Sequence, residues 1–184
     1  MRIDRSALEE LRFRLRGELY EPGAAEYEDT CTLFNSIAMW RPALVARCTA
    51  AEDVVAALAF AREHGLKVAV RTGGHSVAGR SHCDDGLVLD LRGIRDVEVD
   101  LRRQVARIGA AATRSEVDRA TERHGLTCDS LLAATLVTVE GEIVRVQAGS
   151  AQLLWTLRGE GDNFNIVVSL ELHLQPFLGD PFAS

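Results

Sequence analysis

The chain has 184 residues, of which 47% are hydrophobic and 26% charged, the composition of an ordinary soluble protein with a sizeable core. Its net charge of -6 argues against a nucleic-acid partner, because phosphate binding requires clustered lysine and arginine. No apolar run approaches the roughly 20 residues of a membrane span, and the N-terminus lacks the apolar core of a signal peptide. We therefore expect a cytoplasmic protein with no membrane partner.

The four cysteines lie far apart in the sequence and form no C-x-x-C pair, which argues against a disulfide framework and against a zinc knuckle. The local cluster His82-Cys83-Asp84-Asp85 contains metal-ligating residue types, but adjacent side chains point in divergent directions. We therefore expect reduced thiols and no metal site. The four cysteines are Cys31, Cys48, Cys83 and Cys128.

The first third of the chain predicts helices that alternate with strands. A capping-box pattern at Ser6-Ala7-Leu8-Glu9, followed by leucines at helical spacing, predicts a helix from Ser6 to Leu19. Residues 20–40 remain unassigned. The next predicted elements are a strand at 43–48, a helix that a second capping box at 49–52 opens and Gly65 closes, a strand at 67–71 and a strand at 87–91. This order requires at least one parallel crossover.

The rest of the chain predicts antiparallel strands with flanking helices. Thr113-Arg114-Ser115-Glu116 is a third capping box, and it starts a helix that stops at Gly125. Glu140-Gly141 is the predicted two-residue turn of a hairpin. The strands are a hairpin within 97–111, a second hairpin within 131–149 and a last strand at 166–174, with a short helix at 150–159. The predicted fold class is α+β, a small parallel β-α-β unit followed by an antiparallel sheet.

One predicted loop carries the sequence Gly73-Gly74-His75-Ser76. Two glycines after a strand let backbone N–H groups face outward, and such a nest suits a phosphate or a pyrophosphate, with Arg71 as a nearby charge. His75 is able to act as a nucleophile toward an electrophilic cofactor, as a hydrogen-bond donor or as a base. The alternative is that the glycines only make a turn and that His75 is a solvated loop residue, and spacing alone favours this alternative.

Longer stretches of the sequence resemble a known family. RPALVARC and VAVRTGGHSVAG resemble the flavin-binding domain of the berberine bridge enzyme-like oxidases, which belong to the vanillyl-alcohol oxidase, or PCMH-type, superfamily. GLTCDSLLAATLVTVEGEIVRV and LLWTLRGEGDNFNIVV resemble later motifs of the same family. The resemblance implies a PCMH-type FAD-binding domain at 41–176, preceded by a lead-in segment at 1–40 and followed by a tail at 177–184.

The resemblance implies FAD as the cofactor, an alcohol or sugar-like small molecule as the substrate and O2 as the acceptor. Residues 71–76 match the loop whose backbone amides surround the pyrophosphate. His75 matches the family histidine that often bonds covalently to the flavin. The catalytic residues stay unknown. The residues that the resemblance assigns to cofactor binding are Arg71, Thr72, Gly73, Gly74, His75, Ser76, Gly79, Gly161, Asn163, Phe164, Ile166 and Val167.

The sequence departs from the family pattern in three places. Family members carry a long glycine-rich segment before the strand that corresponds to the one containing Asp129. In this sequence, Gly125-Leu126 runs directly into that strand. An internal deletion near residue 126 would produce this arrangement. Family members also continue beyond Pro176 into a large substrate domain and a returning C-terminal piece that carries the catalytic base. Finally, the motif G-G-G-G-x-F-G reads GEGDNFN at 159–165, and each added carboxylate opposes an anionic cofactor by about 1 kcal/mol at 4 Å in water.

Three hypotheses therefore stand for the function. The first is an FAD-dependent oxidase whose remaining parts lie on another chain or in a compact variant. The second is a degenerate, truncated family member with weak FAD affinity and no turnover. The third is a non-catalytic interaction domain, in which the face left by the missing substrate domain makes a homodimer contact.

Overall fold

The computed structural model of the chain describes residues 3–31, 41–72, 83–150 and 165–177. They form two compact units, of which the first contains Met1–Ile94 and Val137–Ile143 and the second contains Arg95–Leu136 and Val144–Ser184. Within the described ranges, no helix has the length and apolar character that a membrane crossing requires.

The first unit contains a four-stranded sheet. The first of its strands in chain order is antiparallel to its neighbour, and the other three run parallel to one another. Its elements are the helices α1 (Arg5–Arg14), α2 (Ala25–Cys31) and α3 (Ala51–Glu63) and the strands β1 (Glu18–Tyr20), β2 (Leu44–Arg47), β3 (Val68–Arg71) and β4 (Leu87–Asp90). The strand order is β1-β2-β4-β3, and β4 pairs in parallel with both β2 and β3. Every residue of β4 is buried, because it has a strand on each side and packed side chains on both faces. The parallel β-α-β prediction is confirmed.

The second unit contains an antiparallel sheet with one packed helix. Its elements are the helix α4 (Arg114–Glu122) and the strands β5 (Val97–Asp100), β6 (Val105–Gly109), β7 (Leu126–Thr138), β8 (Ile143–Gln147) and β9 (Asn165–Pro176). The strand order is β5-β6-β9-β7-β8, and β6 pairs antiparallel with both β5 and β9. Val117 of α4 packs with Ala106, Ile108 and Leu174 of the sheet. The two units together confirm the α+β class.

The predicted helix from Ser6 to Leu19 is wrong in its second half. The helix ends at Arg14, and Leu19 lies in β1. The carboxylate of Asp53 accepts hydrogen bonds from the backbone N–H groups of Arg16 (2.7 Å) and Gly17 (3.2 Å), which fixes the chain in a non-helical course. A Cβ atom on Gly17 would stand 1.8 Å from the carbonyl oxygen of Arg47, so this close approach requires glycine. Leucines at helical spacing did not reveal this backbone contact.

Three of the predicted local motifs need correction, and a fourth is confirmed. The first capping box is absent, because α1 begins at Arg5 with Asp4 rather than Ser6 as its N-cap residue. At the start of α3, Asp53 rather than Glu52 is the capping acid, and its carboxylate accepts from the N–H (2.8 Å) and the hydroxyl (3.0 Å) of Thr49. The turn between β7 and β8 has four residues rather than two, because the strands end at Thr138 and begin again at Ile143. At the start of α4, the capping box is present as predicted.

The short helix predicted at 150–159 lies almost wholly outside the described residues, which include only its first position. The segment 20–40, which the sequence pattern left unassigned, contains the end of β1 and all of α2. Tyr27 of α2 is fully buried and donates its hydroxyl to the carbonyl of Pro42 at 2.8 Å. Since Tyr27 packs with Val45, Ala69 and Val88, α2 is part of the core of the first unit.

Candidate functional site

Charged residues end all three parallel strands of the first unit. Arg47 ends β2, Arg71 ends β3 and Asp90 ends β4. The register pairs Asp90 with Arg47 on one side and with Arg71 on the other, so the three residues lie in one row at the carboxyl edge of the sheet. Ligands of open parallel sheets bind outside this edge. We refer to these three residues together with Arg92 as the arginine cluster.

Asp90 is the acidic centre of the arginine cluster. Its side chain is fully buried and accepts hydrogen bonds from Nε of Arg47 (2.7 Å) and Nη2 of Arg92 (2.9 Å). It also accepts the backbone N–H of Arg92 at 3.0 Å, which caps the short 3-10 helix Leu91–Gly93. Burial alone would raise the pKa of Asp90, but the hydrogen bonds from Arg92 and the charges of Arg47 and Arg92 outweigh it and hold the pKa below 3.8. Asp90 is therefore a carboxylate at neutral pH.

Arg71 lies in the same row, but its guanidinium group has no carboxylate partner among the described residues. Its side chain is only 6% exposed, and Nη1 donates to the backbone carbonyl of Thr30. Its Nε–H is buried and has no hydrogen-bond partner in the described part of the chain. Burial, with the nearby charge of Arg92, lowers the pKa of Arg71 from its ordinary value. A buried guanidinium with a free donor is a group that an anion would satisfy.

The C-terminal end of α2 completes this edge of the sheet. The hydroxyl of Thr30 accepts from Nη2 of Arg92 (2.9 Å), and the carboxylate of Asp29 accepts from Nη1 of Arg92 (3.0 Å). The hydrogen bond with Asp90, followed by the one with Asp29, raises the pKa of Arg92. Because helix carbonyls at a C-terminus carry partial negative charge, the carbonyl of Thr30 is a favourable acceptor for Arg71. The last residues of α2 thus hold two arginines in place, Arg92 through side chains and Arg71 through a backbone carbonyl.

The structure describes four of the twelve residues that the resemblance assigns to cofactor binding. Arg71 and Thr72 lie at the carboxyl edge in the first unit, and Ile166 and Val167 lie half-buried in β9 of the second unit. The residues outside the described ranges are Gly73, Gly74, His75, Ser76, Gly79, Gly161, Asn163 and Phe164.

The arginine cluster fits the diphosphate of FAD. Arg71 directly precedes the segment that the sequence predicts as a glycine-rich loop, and its unsatisfied Nε–H is an orphaned buried donor at the edge where ligands of parallel sheets bind. A planar guanidinium binds phosphate oxygens well. Asp90 opposes an anion only weakly, because two arginines already neutralise it. The residues present therefore fit the group that the resemblance implies.

Sequence reasoning missed Arg47, Asp90, Arg92 and Thr30 as members of this site. The sequence did contain a signal for Arg47, Asp90 and Arg92. Each parallel strand is a short apolar run that ends in a charged residue, with the sequences LVAR, VAVR and LVLD, and Arg92 follows the last of these runs two residues later. Parallel strands bring such ends to one edge. No comparable signal existed for Thr30, which lies in a helix that the sequence left unassigned.

Comparison with known proteins supports FAD as the cofactor. The family model described as an FAD binding domain matches residues 42–127. The chain is 29% identical over 191 residues to a curated (R)-6-hydroxynicotine oxidase of Paenarthrobacter nicotinovorans, with 87% of this chain and 42% of the relative covered. The chain spans less than half the length of this relative.

Solved structures give the same result for the fold. The crystal structure of 6-hydroxy-D-nicotine oxidase from Arthrobacter nicotinovorans superposes with a TM-score of 0.79 at 27% identity, covering 88% of this chain and 43% of that one. A berberine bridge enzyme-like protein of Physcomitrella patens superposes with a TM-score of 0.77 at 20% identity, covering 92% and 44% of the two chains. The PCMH-type fold predicted from the sequence is confirmed.

Proposed function

We infer that the chain is a berberine bridge enzyme-like FAD-linked oxidoreductase through its FAD binding domain, and we propose that it binds FAD at the carboxyl edge of its parallel strands. The observation that carries this proposal is the guanidinium of Arg71, buried to 6% exposure with a free Nε–H directly before the Thr72–Ser76 loop. A phosphate oxygen would satisfy that donor without displacing Asp90 from its own partners.

Each residue of the loop has a proposed part in holding the cofactor. Arg71 balances diphosphate charge, and the backbone amides of Thr72, Gly73 and Gly74 with the hydroxyl of Ser76 donate to phosphate oxygens. His75 anchors the flavin covalently, and Gly79 lets the backbone pass close to it. In the later part of the chain, Gly161, Asn163, Phe164, Ile166 and Val167 form the second proposed contact region.

The chemistry that bound FAD supplies is the oxidation of an alcohol or sugar-like small molecule by hydride transfer, with O2 as the acceptor. The arginine cluster contributes a fixed positive charge on a rigid sheet edge, which orients the cofactor without further motion of the protein. The proposed reaction also requires a catalytic base. We assign that role to none of the described residues, so the base would come from residues outside the part that matches the relatives.

A shortened connection near residue 126 is also part of the proposal. The alignment to the (R)-6-hydroxynicotine oxidase extends over 191 positions, whereas 87% of 184 residues is 160, so 31 positions have no counterpart in this chain. In the fold, α4 ends at Glu122 and β7 begins at Leu126, with Gly125 in a left-handed conformation (φ +67°) between them. A connection of only three residues is consistent with the proposal that the segment present at this point in other family members is deleted in this chain.

A second candidate function is a degenerate domain that binds a protein partner, such as a second copy, instead of turning over substrate. The side chains of α2 favour it, because Asp29 and Thr30 already occupy the donors of Arg92 that would otherwise face an anion. The carboxylates of Glu160 and Asp162, in the segment that matches the late glycine motif, also oppose the binding of an anionic cofactor and so favour this candidate.

The visible spectrum of the purified chain tests FAD binding. We expect a yellow protein, or a colourless one that takes up added FAD with quenching of flavin fluorescence, because the Arg71 donor is preformed. Arg71→Gln should weaken FAD binding about tenfold, since it removes one charge-assisted hydrogen bond. The matched control Arg119→Gln changes an exposed arginine on α4 and should leave binding unchanged. A chain that neither contains nor takes up FAD would overturn the proposal.

Acid precipitation tests the covalent anchor separately. A yellow pellet is expected from the wild type, and a colourless pellet with FAD released into the supernatant is expected from His75→Ala. His124→Ala, which changes an exposed histidine after α4, serves as the control and should keep the yellow pellet. Stable dimers without flavin in size-exclusion chromatography would support the second candidate instead.

A further inference from the structure

The exposed face of the antiparallel sheet carries a row of alternating charges. The register places Glu98 of β5 opposite Arg107 of β6, and Arg107 opposite Glu171 of β9. Arg145 of β8 binds the carboxylate of Glu171 with two hydrogen bonds, from Nε at 2.9 Å and from Nη2 at 2.5 Å. The row begins and ends with residues of the second unit, so it is a property of that unit alone.

The turn between β5 and β6 adds two more arginines to this face. Asp100 accepts the backbone N–H groups of Arg102 and Arg103, each at 3.0 Å, so its carboxylate Oδ1 is already engaged in forming the turn. Gln104 takes a positive φ of 54° and its carbonyl accepts the N–H of Leu174 at 2.8 Å, which ties the turn to β9. The position of the two arginines is thus set by backbone contacts.

Three of the four arginines on this face have no ion pair within the described part of the chain. They are Arg102, Arg103 and Arg107, whereas Arg145 is paired with Glu171. The hydrogen bond from Arg145, with the added charges of Arg145, Arg107 and Arg103, lowers the pKa of Glu171. Glu171 therefore has three guanidinium groups around it, and the face as a whole carries four arginines against the three carboxylates of Glu98, Asp100 and Glu171, although the whole chain has a net charge of -6.

These arginines line a groove of about 1110 Å³ in the second unit. Small-molecule sites commonly have volumes of roughly 300–1,000 Å³, so the groove is large enough for such a ligand. Two leucines also line it, Leu101 with 51% and Leu132 with 36% of its surface exposed. Exposed leucines beside unpaired guanidinium groups present both an apolar surface and anion-binding forks.

We propose that this groove binds a small organic anion that joins a phosphate or carboxylate group to an apolar part. The charged group contacts the guanidinium groups of Arg103 and Arg107, and the apolar part covers Leu101 and Leu132. Glu98 and Asp100 at one side of the groove repel a polyanion, so the groove selects a compact ligand over a nucleic acid. This binding does not depend on FAD, because none of the residues that line the groove is among those with a proposed part in cofactor binding.

Titration of the full 184-residue chain with phenyl phosphate, followed by the amide chemical shifts of the ¹⁵N-labelled protein, tests the groove. We expect saturable shifts at the β5–β6 turn and around Leu132. Inorganic phosphate should shift the same amides with weaker affinity, because it lacks the apolar part, and benzyl alcohol should shift none of them. Absence of saturable shifts, or shifts elsewhere only, overturns the proposal.

Two variants separate a site from general charge attraction. Arg107→Gln should weaken phenyl phosphate binding about tenfold, whereas Arg119→Gln, an equal loss of charge on α4, should leave it unchanged. Equal weakening in both variants would overturn the groove. Leu132→Ser should weaken phenyl phosphate but not inorganic phosphate, and an unchanged affinity for both would refute the apolar half of the proposal. If Arg107→Gln fails to fold, Arg103→Gln in the exposed turn replaces it.

Discussion

The two units use arginine and carboxylate pairs in opposite ways. In the first unit, Asp90 is fully buried, and Arg47 and Arg92, about a quarter to a third exposed, hold it from two sides. In the second unit, Arg145 and Glu171 make an equally short pair, but the arginine side chain is 49% exposed. Removing one partner of a buried pair leaves an uncompensated charge, whereas an exposed charge is solvated by water. Similar distances therefore correspond to very different contributions to stability.

Replacement of the buried carboxylate should have the largest effect. Asp90→Ala leaves Arg47 without its carboxylate partner and Arg92 with Asp29 alone, and it is expected to lower the free energy of unfolding by about 3–5 kcal/mol. Urea denaturation of the variant against the wild type measures this loss. Asp96→Ala removes an exposed carboxylate with no side-chain partner in the described residues and serves as the control. A loss below 1 kcal/mol for Asp90→Ala would remove the contrast between the units.

Acid should weaken the first unit through the same carboxylate. Since the pKa of Asp90 in the folded chain lies below its ordinary value of 3.8, the unfolded chain binds the proton more readily. The stability that Asp90 contributes is therefore fully present above pH 3.8 and is lost as the pH falls through the folded pKa, by at most about 1.4 kcal/mol per pH unit. Urea denaturation between pH 5 and pH 2.5 should show this slope in the wild type.

Asp90→Asn provides the comparison for the acid experiment, because the amide keeps the shape of the side chain but does not titrate. We expect the variant to start less stable at pH 5 and to lose less stability between pH 4 and pH 2.5. If the slopes of the variant and the wild type agree, other carboxylates account for the acid effect.

Replacement of the exposed pair should have the smallest effect. Arg145→Ala is expected to lower the free energy of unfolding by no more than about 1 kcal/mol, because both partners regain water when the pair is broken. The difference from the wild type should shrink further in 1 M salt, where charges are screened within about 3 Å. A loss as large as that of Asp90→Ala would show that the exposed row stabilises the sheet.

The sequence was sufficient for the parts of the fold that depend on local pattern. Alternating apolar residues predicted the strands, and Thr113 with Glu116 predicted the start of α4. The failures came from contacts distant in sequence, as at Asp53, whose carboxylate accepts hydrogen bonds from residues 36 and 37 positions away. No periodicity in residues 6–19 shows that these N–H groups will leave the helix.

The candidate site divides in the same way. Arg71 was found from the resemblance, and its place beside a glycine loop was readable from the sequence. The arrangement of Asp90 between Arg47 and Arg92 depends on the strand order, which places β4 between β2 and β3. The alternation of strands and helices along a sequence does not determine the order of the strands in the sheet. The partners of the site residues therefore followed only from the strand order in the structure.

The position of β4 also determines when the sheet is able to assemble during synthesis. β3 is complete at Arg71, but its only partner strand among the described residues ends at Asp90, so within that sheet only β1 and β2 are able to pair before then. Until residue 90 has left the ribosome, the apolar faces of β2, β3 and α3 lack their central partner and are open to aggregation or chaperone binding. Slowed translation before this point should lower the yield of folded protein more than the same delay after it.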